Sequence, residues 1–160
     1  KNIDLTNCTR LTHIGTRAFS LDTDITTINL PASVTFIGDG AFAGCTKLQQ
    51  VNLQPGNHQW GEAVFAQSTA LQQIDLSQTG LQALPAWTFS GCKSLTSVTL
   101  PSSLSSIGNG AFYYCEALPT ASLPAGISTL ADFAFAGCSS LASITFMEEG
   151  LKDIGRYVRV

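Results

Sequence analysis

The feature that most constrains this chain is a spacing. Phe19, Phe42, Phe65, Phe89, Phe112 and Phe135 are separated by 23, 23, 24, 23 and 23 residues, and Leu30, Leu53, Leu76, Leu100, Leu123 and Phe146 repeat the same intervals. Two independent columns with one period mean that the chain is a stack of equivalent units. A unit of this size cannot bury its own apolar side, so each one is covered by the units before and after it.

The unit reads A-F-x-x-C-x-x-L-x-x-I-x-L-P-x-x-V-x-x-I-G, as in "AFAGCTKLQQVNLQ" from Ala41 and "AFYYCEALPTASLPAGISTL" from Ala111. Leu48, Val51 and Leu53 end in a period-two alternation, which predicts a short strand with one buried face. Pro31, Pro101 and Pro124 follow three of these strands and end them, because proline has no N–H for a ladder. A second apolar pair follows (Val34 and Ile37, Leu81 and Leu84, Leu104 and Ile107, Ile127 and Leu130), and then Gly38 and Gly108, expected to permit a tight corner.

One strand and one short return per coil is the organisation of a leucine-rich repeat. The unit resembles the BspA-like type of bacterial leucine-rich repeat over nearly the whole chain, from Ile3 to Ile154. The expected fold is a repeat solenoid: a right-handed leucine-rich-repeat coil forming a single domain over 1–160. It should have about six coils, a parallel β-sheet on one face and short irregular or helical returns on the other. Both ends stop mid-coil, so the chain reads as a slice of a longer array.

Departures from the pattern are local. Asp22 and Ser68 stand where other coils have Cys, and Asn57 stands where Val34 would be, although Trp60 keeps the next apolar position. One extra residue sits in the turn before Leu81 and another before Leu151.

Five cysteines and two histidines, with no C-x-x-C pair, support neither a disulfide framework nor a zinc ribbon. Cys45, Cys92, Cys115 and Cys138 each follow a column phenylalanine by three residues and should stack about 5 Å apart. Parallel side chains at that spacing leave their Cβ atoms beyond the usual ~3.8 Å of a disulfide. They are therefore expected to be small buried hydrophobes. A catalytic thiol needs a neighbouring base, and His13 and His58 fall in other columns. Cys8 lies outside the ladder.

Only 12% of residues are charged and the net charge is -3, with eight scattered Lys and Arg. That distribution argues against nucleic acid as a partner. No apolar run approaches a membrane span, so no membrane insertion is expected of this segment.

The outward strand positions form two rows, Thr27, Gln50, Gln73, Ser97, Thr120, Ser143 and Asp4, Asn29, Asn52, Asp75, Thr99, Ser122, Thr145, with Gln54 and Ser77 extending them. Such a face either keeps the sheet soluble or is a broad recognition surface. The ligand-binding candidates on it are Thr27, Asn29, Gln50, Asn52, Gln54, Gln73, Asp75, Ser97, Thr99, Ser122 and Thr145. Tyr113 and Tyr114 replace a small pair at a return corner; they read either as a second contact patch or as packing over the cysteine ladder.

The carboxylates Asp4 and Asp75 lie three coils apart, about 15 Å, against the roughly 5 to 9.5 Å of a glycosidase pair. No nucleophile, base and orienter set is visible, so no catalytic residue, cofactor or metal is assigned. Asp22 and Asp24 read as a weak calcium pair or, more simply, as a solvated turn.

The resemblance implies export and an extracellular or cell-surface location. It also implies a non-enzymatic binding role, adhesion to host matrix or plasma glycoproteins or to proteins and glycans of other microbial cells. The residues themselves leave a second reading open, a structural spacer or stalk segment within a larger exported protein. They do not fix the oligomeric state.

Overall fold

The computed structural model describes residues 1–147 and 150–159, and in it the chain winds through seven turns. Each turn contributes one strand to a main face: β1 (Asn2–Asp4), β3 (Thr27–Asn29), β5 (Gln50–Asn52), β7 (Gln73–Asp75), β9 (Ser97–Thr99), β11 (Thr120–Leu123) and β13 (Ser143–Phe146). Between them lie two-residue strands on a second face: β2 (His13–Ile14), β4 (Phe36–Ile37), β6 (Gln59–Trp60), β8 (Ala83–Leu84), β10 (Ser106–Ile107), β12 (Thr129–Leu130) and β14 (Asp153–Ile154). All pairing is parallel and couples equivalent residues of successive turns, for example Ile28 with Val51 and Ile107 with Leu130. There are seven turns, not about six, because the partial coils at either end also pair in register, β1 with β3 and β14 with β12.

The returns contain no helix among the described residues, so of the irregular or helical returns expected they are the non-helical kind. A third ladder runs up the Ala-Phe corner. The N–H of each column phenylalanine donates to the residue before the equivalent position of the next coil, as in Phe19 to Ala41, Phe42 to Val64 and Phe89 to Ala111. The residues two before and two after the phenylalanine do the same, as in Trp87 to Asn109 and Gly91 to Tyr113. Those flanking residues are left-handed, including Arg17 (φ 56°), Leu21 (63°), Trp87 (61°) and Tyr114 (54°). A left-handed residue every fourth position cannot belong to an α-helix.

The side chains follow the ladders. The column phenylalanines stack with ring centroids 5.3, 5.5, 5.8, 5.5 and 5.0 Å apart, and all but Phe19 are fully buried. Ile28, Leu30, Ile37, Leu48, Leu71 and Leu76 complete the same continuous core. Gly38 and Gly108 have an unexpected role. Neither has a positive φ, but a Cβ at Gly38 would lie 2.5 Å from the Thr16 backbone nitrogen and one at Gly108 would lie 2.7 Å from the Leu84 carbonyl. They admit the backbone of the preceding coil.

The cysteine column is also explained. The thiols of Cys45, Cys92, Cys115 and Cys138 point at the carbonyls of Phe19, Phe65, Phe89 and Phe112, one coil back, at 3.0–3.2 Å. Ser68 makes the same bond to Phe42 with its hydroxyl, at 3.0 Å. The column selects a small side chain with a donor.

Two predictions follow from this packing. Phe89→Ala should lose about 3–5 kcal/mol in urea unfolding, because its ring is enclosed by neighbours on both sides. Ser68→Ala should cost about 1 kcal/mol, since the Phe42 carbonyl then keeps only the long 3.4 Å bond from the Cys45 N–H, whereas Ser68→Cys should be close to neutral.

Candidate functional site

The repeated thiols are the first residues to test for chemistry, and their surroundings are wrong for it. Burial pushes Cys45 up from 9.0 to about 11 and Cys92 up to about 12. Cys115 is raised well above the ordinary range, chiefly by burial, while Cys138 is lowered, first by its contact with the Cys115 thiol. All five cysteines are free, and Cys8 alone is exposed. A nucleophilic thiol needs an electropositive, accessible setting, and this column offers apolar enclosure. Among the described residues no three His, Cys, Asp or Glu converge on a possible metal position. Asp22 and Asp24 form a turn, with the Asp22 carboxylate accepting the Asp24 N–H (3.0 Å), and they pair with Lys1 and Lys47.

The polar rows on the main face are in register as the period requires: Thr27 opposite Gln50, Asn29 opposite Asn52, Gln73 opposite Ser97, Asp75 opposite Thr99, Ser122 opposite Thr145. What the period does not reveal is that this face is interrupted. Its ladder divides into β1-β3-β5, β7-β9 and β11-β13. The second interruption has a direct cause. Thr26, Gln49, Thr96 and Ala142 donate their N–H groups to the coil before, and Pro119 occupies that position ahead of β11 with no N–H to give.

The first interruption, between β5 and β7, opens both faces, since β6 and β8 are unpaired as well. It lies where two irregular coils meet. In the earlier coil the proline comes one residue late, at Pro55, and the missing Val is replaced in the core by His58, which is 6% exposed, while Asn57 points to solvent. The His58 Nε2–H donates to the Gln54 carbonyl at 2.8 Å, and Nδ1 is buried without a partner, as is Nε1 of the half-buried Trp60. In the later coil the extra residue widens the turn after Leu76, where the Thr79 hydroxyl donates to the Leu76 carbonyl. The two coils are rejoined at the Gly56 and His58 N–H groups, which donate to Gln78 and Thr79.

A groove follows the opening. One part, about 320 Å³, is lined by Gln50, Val51, Asn52, Gln73, Ile74, Asp75, Ser97 and Thr99. The adjoining part, about 400 Å³, is lined by Val51, Asn52, Leu53, Gln54, Pro55, Asp75, Gln78 and Thr79. Seven of the sequence candidates, Gln50, Asn52, Gln54, Gln73, Asp75, Ser97 and Thr99, therefore share one depression. Thr27 and Asn29 flank it on β3, and Ser122 and Thr145 lie beyond the second interruption.

Two of these residues also hold local structure. The Asp75 carboxylate accepts the Ser77 N–H at 2.8 Å; that bond, and then the Ser77 hydroxyl, hold its carboxyl below the usual range. Asp4 and Thr6 repeat this turn in the first coil. In both coils the motif closes a strand exit that lacks proline. Asn52 joins a side-chain ladder, donating to the Asn29 amide oxygen at 2.5 Å and accepting from Gln50 at 3.2 Å. Sequence reasoning missed Gln78 and Thr79, which belong to the turn widened by the extra residue.

The thiol environment gives a pH signature. Cysteines that ionise near 9 when unfolded but near 11–12 when folded contribute stability that is complete below about pH 9 and is lost as pH rises toward the folded values. Urea midpoints should therefore fall between pH 8 and pH 11. At pH 8 a thiol reagent should label Cys8 at once, Cys138 more slowly and the other three only on unfolding. Rapid labelling of four or more sites would refute the buried ladder.

No curated protein sequence matches this chain. Among solved structures, a leucine-rich repeat protein of T. pallidum is similar with 35% identity and a TM-score of 0.85, covering 92% of this chain and 68% of that one. A leucine-rich cell surface protein from Faecalibacterium prausnitzii has 27% identity and a TM-score of 0.81, covering 92% of this chain and 38% of its own. A leucine-rich repeat protein from Bacteroides ovatus has 27% identity and a TM-score of 0.76, over 97% and 45%. The chain thus spans less than half of the latter two. The family model for the BspA type leucine-rich repeat region matches in six copies over residues 1–85 and 78–158. With the period, the ladders and these matches in agreement, the chain belongs to the BspA-type leucine-rich repeat family.

Proposed function

We propose that this chain is a non-enzymatic recognition segment of an exported, cell-surface protein. It binds a host matrix or plasma glycoprotein, or a microbial surface protein or glycan, through its main strand face. The observation that carries this reading is the coincidence of the polar candidates with the opened ladder between β5 and β7, which turns a flat sheet into a depression. Flat polar sheets offer little shape; a groove with amides on both walls supports several directed hydrogen bonds. A surface location draws support from the similar Faecalibacterium prausnitzii protein, which is described as a cell surface protein. Because the walls are amides and hydroxyls with a single carboxylate, association should depend little on salt.

A second reading, a spacer that holds another part of a longer protein away from the cell, draws on the unbroken corner ladder that ties every turn to the next.

One experiment separates them. Gln50→Arg with Gln73→Arg places bulk and charge on both walls while leaving the Asp75 turn intact. Binding is read on immobilised matrix proteins, plasma glycoproteins and glycans. Recognition at this face predicts saturable binding that weakens roughly tenfold or more in the double variant, with its Tm unchanged. A spacer predicts no saturable binding and indifference to both substitutions.

A further inference from the structure

A second surface feature lies away from the main face, on the Ala-Phe corner of the later coils. Trp87, Tyr114, Phe133 and Tyr157 are 37%, 46%, 37% and 62% exposed. Tyr113 links them edge to face, with centroids 5.8 Å from Trp87, 4.6 Å from Tyr114 and 6.4 Å from Phe133, and Phe133 stacks on Tyr157 at 5.4 Å. Tyr113, Tyr114, Phe133 and Tyr157 line an open recess of about 280 Å³ together with Ala136 and Gly137, and Trp87 extends the aromatic cluster beyond it through Tyr113.

The backbone makes this cluster unusual. Trp87, Tyr114, Phe133 and Tyr157 all have φ between 53° and 61°. In the same two columns other coils place Gly40, Gly91, Gly110 and Gly137, the residue for which that conformation carries no strain. Bulky aromatic residues in left-handed backbone are outliers, and strained residues collect where a protein uses them. The neighbours accommodate the rings. A Cβ at Gly137 would lie 2.9 Å from the Tyr114 ring and one at Gly110 would lie 2.1 Å from the Trp87 ring. The Trp87 and Tyr114 rings therefore lie on glycines of the next coil, while Phe133 lies on Tyr157.

The flanking chemistry narrows the ligand. Asn109, Asp132 and Arg156 each precede the left-handed position of their coil, and the corner ladder joins their backbone to that of the rings: the Trp87 N–H donates to the Asn109 carbonyl and the Phe133 N–H to that of Arg156. Asp132 accepts the Arg156 N–H at 2.6 Å and faces its guanidinium at 4.0 Å, so the two charges offset one another. Nucleic acid would need unpaired cations beside the stacking rings. A pyranose ring presents an apolar C–H face for stacking and equatorial hydroxyls for planar hydrogen-bonding groups at its edge, without charge. Aromatic faces with a few placed polar groups suit such a ligand.

We infer that the aromatic corner formed by Trp87, Tyr113, Tyr114, Phe133 and Tyr157 is a stacking site for a neutral oligosaccharide, separate from the strand-face groove. Gly substitution tests it cleanly, because the repeat already uses glycine in these columns. The intact chain is titrated calorimetrically with neutral hexasaccharides of β-1,4-glucose, α-1,4-glucose, β-1,4-mannose and β-1,4-xylose, beside Trp87→Gly with Phe133→Gly, Tyr114→Gly, and the Gln50→Arg, Gln73→Arg variant. The inference expects at least one hexasaccharide to bind. Its affinity should fall roughly tenfold or more in both glycine variants, whose Tm stays equal to or above that of the parent, and should hold in the strand-face variant. It is overturned if no hexasaccharide binds, or if binding survives in both glycine variants. It is also overturned if both glycine variants melt well below the parent, which would make the rings structural. Binding lost only in the strand-face variant would assign the sugar to the groove instead.

Discussion

The structure depends on one constraint: each coil satisfies its backbone groups on the coil beside it, in register. The corner ladder does this at every step from Phe19 to Phe135. Once residues are locked opposite their equivalents at the ~5 Å of a parallel ladder, a column must be filled by side chains that tolerate their own kind as neighbours. Flat rings stack at that distance, which is why one column is phenylalanine throughout. A donor that turns toward the carbonyl of the preceding coil also repeats well, and Cys and Ser68 share that geometry. In the left-handed columns a bulky residue is repeatedly followed by glycine, as in Leu21 over Gly44, Gln67 over Gly91 and Tyr114 over Gly137, and where two large residues follow one another, at Phe133 and Tyr157, they are flat rings that stack.

The same constraint explains where the structure gives way. Pro119 removes a single N–H, and the strand ladder parts there while the corner ladder holds. Between β5 and β7 the fault is larger, because a displaced proline, a histidine in an apolar place and an inserted residue fall in adjacent coils. The consequences are confined to that junction. His58 and Trp60 retain buried nitrogens without partners, a cost that a regular Val and Ile pair would avoid. In a repeat array, irregularity of this kind is what gives one part of a uniform surface a shape of its own.

How far the sequence discloses this depends on whether a feature is columnar. The period, the phenylalanine stack, the buried thiols and both polar rows are visible because equivalent residues recur. The second strand ladder was only half visible: Val34 and Ile37 mark an apolar pair, but two residues are too few to show a strand period. The sequence leaves open whether the corner is irregular or helical, because left-handed backbone announces itself only through glycine, and Trp87, Phe133 and Tyr157 mask it. Gly38 was read as a corner for the same reason, though its role is to admit Thr16. Of the groove, the wall residues were legible and the groove itself was not, since it arises from bonds that fail to form. Pro119 is the exception, a missing donor readable directly from its letter.

Stacking also separates what a face binds from what holds the coil. Gln50 and Gln73 are exposed at outward strand positions, so their chemistry can vary while the buried Val51 and Ile74 beside them hold the strands in place. Asp75 is less free, because its carboxylate closes the turn that proline closes elsewhere. The aromatic corner shows the opposite balance: its rings sit where glycine would be easier, and the backbone bears that strain without any gain in core packing. Side chains that the fold tolerates and does not need are the ones free to serve contacts outside the fold.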